Sequence, residues 1–595
     1  MITFQKPDVE QFLKVLTIQD FTVSPDKKQL VFSTNIGGHF NLWAMDLPNQ
    51  YPYPLTSINQ ACDSLLYNKN SNFILAGFDQ DGDENSQLYA LSPKGGSQVA
   101  VRYDKGERHM FPFFSKNGES LYYTSTKDGH DAYLAAYRYN LSDESEEILI
   151  EGTDTSVYLM AVSPEEKSFV YSKNYGNTCS LLFVKIDGDD VLATPESDQQ
   201  FTQSDPVYTS EQEIYFITNY ESDFSYLAKF DLAKREFSKV LELKGKDASA
   251  LKYDEALQKI YVTAAKGVKD ELVSYDLVDQ SSEFIEIPID RINKMEVTEA
   301  GELFILGQSA TIPLNIFTRT PSHSWEQITN HGVTGMRPED LVEPVTVTYA
   351  SFDGMEIEAS LYRAHAETSN GHMIIWPHGG PQAAETNSFR ALFQFLLNCG
   401  YSIFTPNFRG STRYGLSFMK MVEGEWGNGP RHDMTAGINW LIEQGIADKE
   451  KIFLMGGSFG GYMALLLHGR HPEYFKAVVD IFGPSDLFSF INSVPEFWKS
   501  AMDQWVGNPE RDCEKLIDFS PITHLEGMTK PMLVIQGAND PRVVKAESDK
   551  IVEALRQKGR SVDYMVLEDE GHGFTKKENE ILVYRAIADF FNQYL

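Results

Sequence analysis

The chain has 595 residues, 42% of them hydrophobic and 23% charged, with a formal net charge of −33. That length exceeds one compact core and predicts two or more domains of ordinary soluble composition. The acid excess excludes nucleic acid and anionic membrane as partners, since both require concentrated Lys and Arg, and it favours solubility or attraction of cationic peptides.

Cys62, Cys179, Cys399 and Cys513 lie far apart with no CxxC pair, so neither a disulfide framework nor a cysteine metal site is expected. The start, MITFQKPD, lacks a basic stretch followed by an apolar one, and no run of about 20 apolar residues occurs. The expectation is a soluble cytoplasmic protein with no cofactor and no metal.

Taken in chain order, Val9 to Ile18 reads as a short amphipathic helix with Val9, Phe12, Leu13 and Leu16 on one face and Asp8 as its cap. Residues 1–19 thus form a helical segment expected to pack on the second domain. From 20 to 335 one pattern returns: a Ser-Pro or Asn/Asp turn, an apolar strand, a polar turn, and a strand ending near Asp-Leu. Copies begin at Val23, Leu65, Phe114, Val162, Glu211, Tyr253 and Glu299. A period of about 45 residues is that of four-stranded propeller blades, so a β-propeller of about seven blades is predicted, with a pair of β-sandwiches as the rival.

Within the second copy, Asp79-x-Asp81-Gly-Asp83 looks like a calcium loop. An EF-hand needs glycine at position six and glutamate at position twelve, where this chain has Glu84 and Ala90, so a hairpin turn is the better reading.

From 345 to 595 strand-like runs alternate with helices: Met373–Trp376, Ser402–Thr405, Ile452–Met455, Ala477–Ile481, Met532–Gln536 and Val562–Leu567. This is α/β patterning with a mostly parallel sheet and helices on both faces, the α/β-hydrolase arrangement.

The chemistry concentrates there. Gly456-Gly457-Ser458-Phe459-Gly460 is a G-x-S-x-G nucleophile elbow between a predicted strand and a predicted helix. A hydroxyl of ordinary pKa needs a base in reach. In this fold acid and base follow the serine in that order. Asp540 sits in the loop after strand Met532–Gln536, and His572 in the Gly-flanked loop after Val562–Leu567. Asp549 falls inside a predicted helix, and Asp569 is too near His572 along the chain to reach behind its ring. His378-Gly379-Gly380-Pro381 follows another strand, so its glycines can supply one oxyanion-hole N–H and Phe459 the other. Candidates for the substrate side-chain pocket are Phe488, Phe497 and Trp498, for which a plain core role is equally available.

These motifs resemble the prolyl oligopeptidase family of serine peptidases, most closely its acylaminoacyl-peptidase branch. They are HGGP (378–381), NFRGSTRYG (407–415), EWGNG (425–429), GGSFGGYM (456–463), GANDPRV (537–543) and EGHGF (570–574). The resemblance implies a propeller capping an α/β-hydrolase and restricting entry to short peptides. It implies an oxyanion hole from the Phe459 and Gly380 N–H groups, and Arg542 on a substrate carbonyl. Dipeptidyl-peptidase branches hold a free amine with paired glutamates on a propeller helix, whereas Glu146-Glu147 and Glu165-Glu166 read here as loops or turns. The expected activity is release of N-acylated amino acids. Alternatives are dipeptidyl, amino- or oligopeptidase action, a carboxylesterase and, least, a propeller binding protein with a vestigial hydrolase. Nothing in the sequence specifies an oligomer, although exposed strand edges leave a homo-oligomer open.

Overall fold

A computed structural model of the chain describes residues 8–595 apart from 49, 71, 127–132 and 321–323. Among these, seven four-stranded antiparallel sheets follow one another from Ile18 to Gln327, each built from one continuous segment. The sequence repeat is therefore one blade per copy. Because no strand is exchanged between first and last blades, packing closes the ring. Phe21 and Phe32 of the first blade share a buried cluster with Phe304 and Leu306 of the last. Thr22 and the Val23 N–H both donate to Glu296 across the same seam, at 3.1 and 3.0 Å.

Glu146 and Glu147 begin the outermost strand of the third blade (Glu146–Ile150) rather than a loop. Alternation explains the difference: the pair precedes Ile148-Leu149-Ile150, which completes an edge strand. Both are ion-paired within the propeller, Glu146 to Arg102 and Glu147 to Arg138. Glu166, in a turn, holds Tyr122 and Arg138.

The second domain is an eight-stranded sheet in the order Val345–Ala350, Glu356–Tyr362, Ser402–Pro406, Met373–Ile375, Ile452–Gly457, Val478–Ile481, Met532–Gly537, Val562–Leu567. The first two pairings are antiparallel and the rest parallel. Strands such as Ile452–Met455 are buried on both faces, which is why they read as unbroken apolar runs. Two large apolar clusters cover the two faces.

The N-terminal helix is shorter than the pattern suggests, Val9–Leu13, with Asp8 as cap and Gln11 completing a capping box. Ile18 is claimed instead by the first blade, where it pairs with Thr34. The helix packs on the hydrolase: Phe12 meets Phe395 at 6.0 Å, and Val9, Phe12 and Leu13 join the cluster that holds Phe591. Among the described residues no helix is long and apolar enough to cross a membrane.

Candidate active site

Strand Ile452–Gly457 and helix Phe459–Arg470 meet at Ser458, whose backbone sits at φ 57°, ψ −124°. An L-residue held there costs on the order of 1–3 kcal/mol, so close packing has to impose it. A Cβ on Gly460 would stand 2.1 Å from the Pro377 carbonyl oxygen, so only glycine lets the helix start this close to the HGGP loop. Phe459 opens the helix, and its N–H therefore has no intrahelical acceptor.

The three residues singled out from the sequence are brought together. His572 Nε2 lies 3.0 Å from Ser458 Oγ and Nδ1 lies 2.6 Å from Asp540 Oδ2. With Asp540 as acceptor, Nδ1 carries the proton and Nε2 is free to accept from the serine. Asp540 is buried, and its other oxygen accepts the Arg542 and Val543 N–H groups, both at 2.9 Å. Phe482 packs on the imidazole at 4.6 Å. The rejected acids are engaged elsewhere, Asp549 by Lys545 and Asp569 by Lys576.

The HGGP loop faces the serine: a Cβ on Gly379 would lie 3.5 Å from Ser458 Cβ, and Gly380 lines the same cavity. His378 shapes this loop. Its Nδ1–H donates to the Gly379 carbonyl at 2.7 Å, its Nε2 lies 2.9 Å from the Ser411 hydroxyl, which donates to the Phe408 carbonyl at 2.6 Å, and its ring stacks on Phe408 at 4.2 Å. Complete burial pushes this imidazole down to about 4, so it is neutral.

The site opens into an interdomain space with two lobes that share Arg542, His572 and Gly573. The first, about 730 Å³, holds Ser458 and Gly380 between apolar walls that include Trp376, Phe393, Phe482 and Phe574. The second, about 660 Å³, is floored by the propeller with Asp63, Asp79, Glu84 and Arg108. Arg542 stands between them, 2.7 Å from Glu84 and with its guanidinium 5.9 Å from the Trp498 ring. Phe497 lies under Arg108 at 5.3 Å. None of Phe488, Phe497 and Trp498 lines either lobe; Phe488 and Trp498 pack against the hydrolase core, and the aromatic wall beside His572 is Phe482 of the same stretch.

The hairpin turn between Ile74–Phe78 and Gln87–Leu91 reaches the histidine loop, a contact the sequence does not announce. Asp81 pairs with Lys576 at 3.1 Å and Glu84 with Arg542. A Cβ on Gly571 would lie 2.3 Å from the Gly82 carbonyl oxygen. Gly571→Ala must push this turn and His572 apart. The expected result is a fall in kcat of about 10² with the fold retained, because displacements near 1 Å carry such losses; steady-state kinetics beside circular dichroism checks it.

The model of the prolyl oligopeptidase family matches residues 387–595, the segment that carries all three residues. That segment belongs to the prolyl oligopeptidase family. This serine peptidase is 27% identical to dipeptidyl aminopeptidase BIII of Pseudoxanthomonas mexicana over 96% of its own length and 85% of that relative. It is 26% identical to the acylamino-acid-releasing enzyme of Arabidopsis thaliana over 53% of its length and 42% of that relative. Among solved structures, a puromycin-hydrolysing peptidase of Mycobacterium tuberculosis superposes with a TM-score of 0.87 at 17% identity, covering 100% of this chain and 97% of the other. At that identity the superposition speaks for the shared propeller–hydrolase fold alone.

Proposed function

We propose that this serine peptidase removes short N-terminal units from peptides, with Ser458 as nucleophile, His572 as general base and Asp540 as the residue that orients it. The carrying observation is the single imidazole bonded to both Ser458 and Asp540 at the meeting point of the two lobes. As Oγ attacks the carbonyl carbon, His572 takes its proton, and the oxyanion is held by the Phe459 and Gly380 N–H groups. His572 then protonates the leaving amine as the C–N bond breaks. A water, deprotonated by the same imidazole, releases the acyl group and regenerates the serine. The position of the two lobes between propeller and hydrolase favours short peptides.

The favoured terminus is a free amine. Asp63 and Asp79 open onto the polar lobe and, among the described residues, neither is in an ion pair, whereas Glu84 is neutralised by Arg542 and Arg108. Burial of their surroundings pushes both carboxyls up, Asp79 to about 6. Such a pair gains from an incoming ammonium group. A second reading, release of N-acylated amino acids, is favoured by the apolar lobe beside Ser458, which suits an uncharged acyl cap.

A short peptide and its N-acetyl twin, followed by mass spectrometry with wild type, Ser458→Ala and Asp79→Asn, separate the readings. The expected result is preferential cleavage of the free-amine peptide, none with Ser458→Ala, and a loss of about 10- to 100-fold in kcat/KM with Asp79→Asn for that peptide alone. Because Asp79 must be ionised to hold an ammonium, the preference should shrink as pH falls through about 6. Release of the acetyl-amino acid instead would establish the second reading. Turnover of small esters alone would make the protein an esterase.

A further inference from the structure

The connection between the second and third blades gathers side chains that the peptide chemistry leaves unused. It runs from strand Val99–Arg102 to strand His109–Phe114. Asp104, Glu107 and His109 each offer one ligand atom, and the three atoms lie within 4.8 Å of one another. Ligand atoms sharing one ion at bond lengths of about 2.0–2.2 Å stand roughly 3.5 Å apart, so small rotamer changes close the cluster.

An acidic pair alone would mean little; the histidine makes the difference. The His109 side chain has no exposed surface, and its Nε2 has no hydrogen-bond partner. Nδ1 faces the Ser86 carbonyl at 3.4 Å, which fixes the proton there and leaves the Nε2 lone pair bare. That lone pair points at Glu107, 3.9 Å from Oε2. A ring nitrogen donating to a carbonyl while the other is bare is the arrangement that metal-bound histidines adopt.

The surroundings fit as well. Tyr123 holds the ring edge-on at 5.5 Å. The Asp104 side chain is 47% exposed and gives an ion its way in. Its present partner, Arg102 at 3.2 Å, retains Glu146 at 2.7 Å if Asp104 turns away.

We propose that Asp104, Glu107 and His109 form a binding site for one divalent transition-metal ion, zinc being the best match to one imidazole and two carboxylates with water completing the tetrahedron. The ion would be structural. It would pin the connection that carries Arg108, whose guanidinium lies 3.7 Å from Glu84 at the floor of the polar lobe.

The test is calorimetric titration of the full chain, stripped with a chelator, using zinc chloride alone and calcium chloride alone. Wild type should bind one zinc ion per chain, with its thermal midpoint raised by zinc. Glu107→Gln and Asp104→Asn, near-isosteric and not fully buried, should each weaken that binding at least about tenfold and lose the thermal shift. No zinc binding by wild type would overturn the assignment. So would equal affinity in both variants, or calcium bound in preference to zinc.

Discussion

Asp540→Asn should lower kcat by about 10⁴ while leaving KM and the folded state nearly unchanged. Asp540 holds His572 through one oxygen and accepts two backbone N–H groups through the other. Those amides fix which atom stays on the loop, so an asparagine would keep its carbonyl there and turn its NH₂ towards Nδ1. The imidazole would then have to accept at Nδ1 and carry its proton on Nε2, where Ser458 needs an acceptor. The variant should therefore be folded and substrate-binding but unable to take the serine proton. Steady-state kinetics with a thermal melt checks this, and activity within tenfold of wild type would show that Asp540 does not set the tautomer.

Arg409→Leu should destabilise the hydrolase domain by about 3–5 kcal/mol. The guanidinium grips both oxygens of Asp433, the closest contact being 2.7 Å, and also Asp353 at 3.0 Å. Asp433 is fully buried and, among the described residues, its side chain has only the Ser351 hydroxyl and the Arg409 backbone N–H besides. Removing the guanidinium leaves a buried carboxylate whose Coulombic partner is gone. A second substitution, Asp433→Asn, should recover part of the loss, since the two residues form one network. Denaturant unfolding of the full chain measures both. The segment also matters to the site, because Ser411 contacts His378, which shapes the HGGP loop facing Ser458.

The meeting of Ser458, Asp540 and His572 was legible because each sits in a short motif at the end of a strand, and strand–turn–helix texture survives in a single sequence. The blade repeat was legible for a related reason: each blade closes on itself, so its turn residues recur with the fold's own period. What escaped depends on contacts between distant segments. Glu84 meets Arg542 across 458 positions, and Gly82 presses on Gly571, yet locally the stretch from Asp79 to Ser86 is only a hairpin turn. Ile18 stands at the end of the helix read from the sequence and is taken by the blade, where it pairs with Thr34 and is buried. Glu146-Glu147 reads as a charged turn and is an edge strand, since an outer strand tolerates solvent-facing charge. Phe488, Phe497 and Trp498 could be named as aromatic, but which faces Arg542 and which the core is decided by how the stretch folds over the lobe.

The most direct test is labelling with a serine-directed fluorophosphonate followed by peptide mapping. A single adduct on Ser458 is predicted, absent after Ser458→Ala and formed far more slowly with Asp540→Asn. An adduct on another serine, or peptide cleavage that survives Ser458→Ala, would contradict the assignment of Ser458, His572 and Asp540 as the catalytic unit.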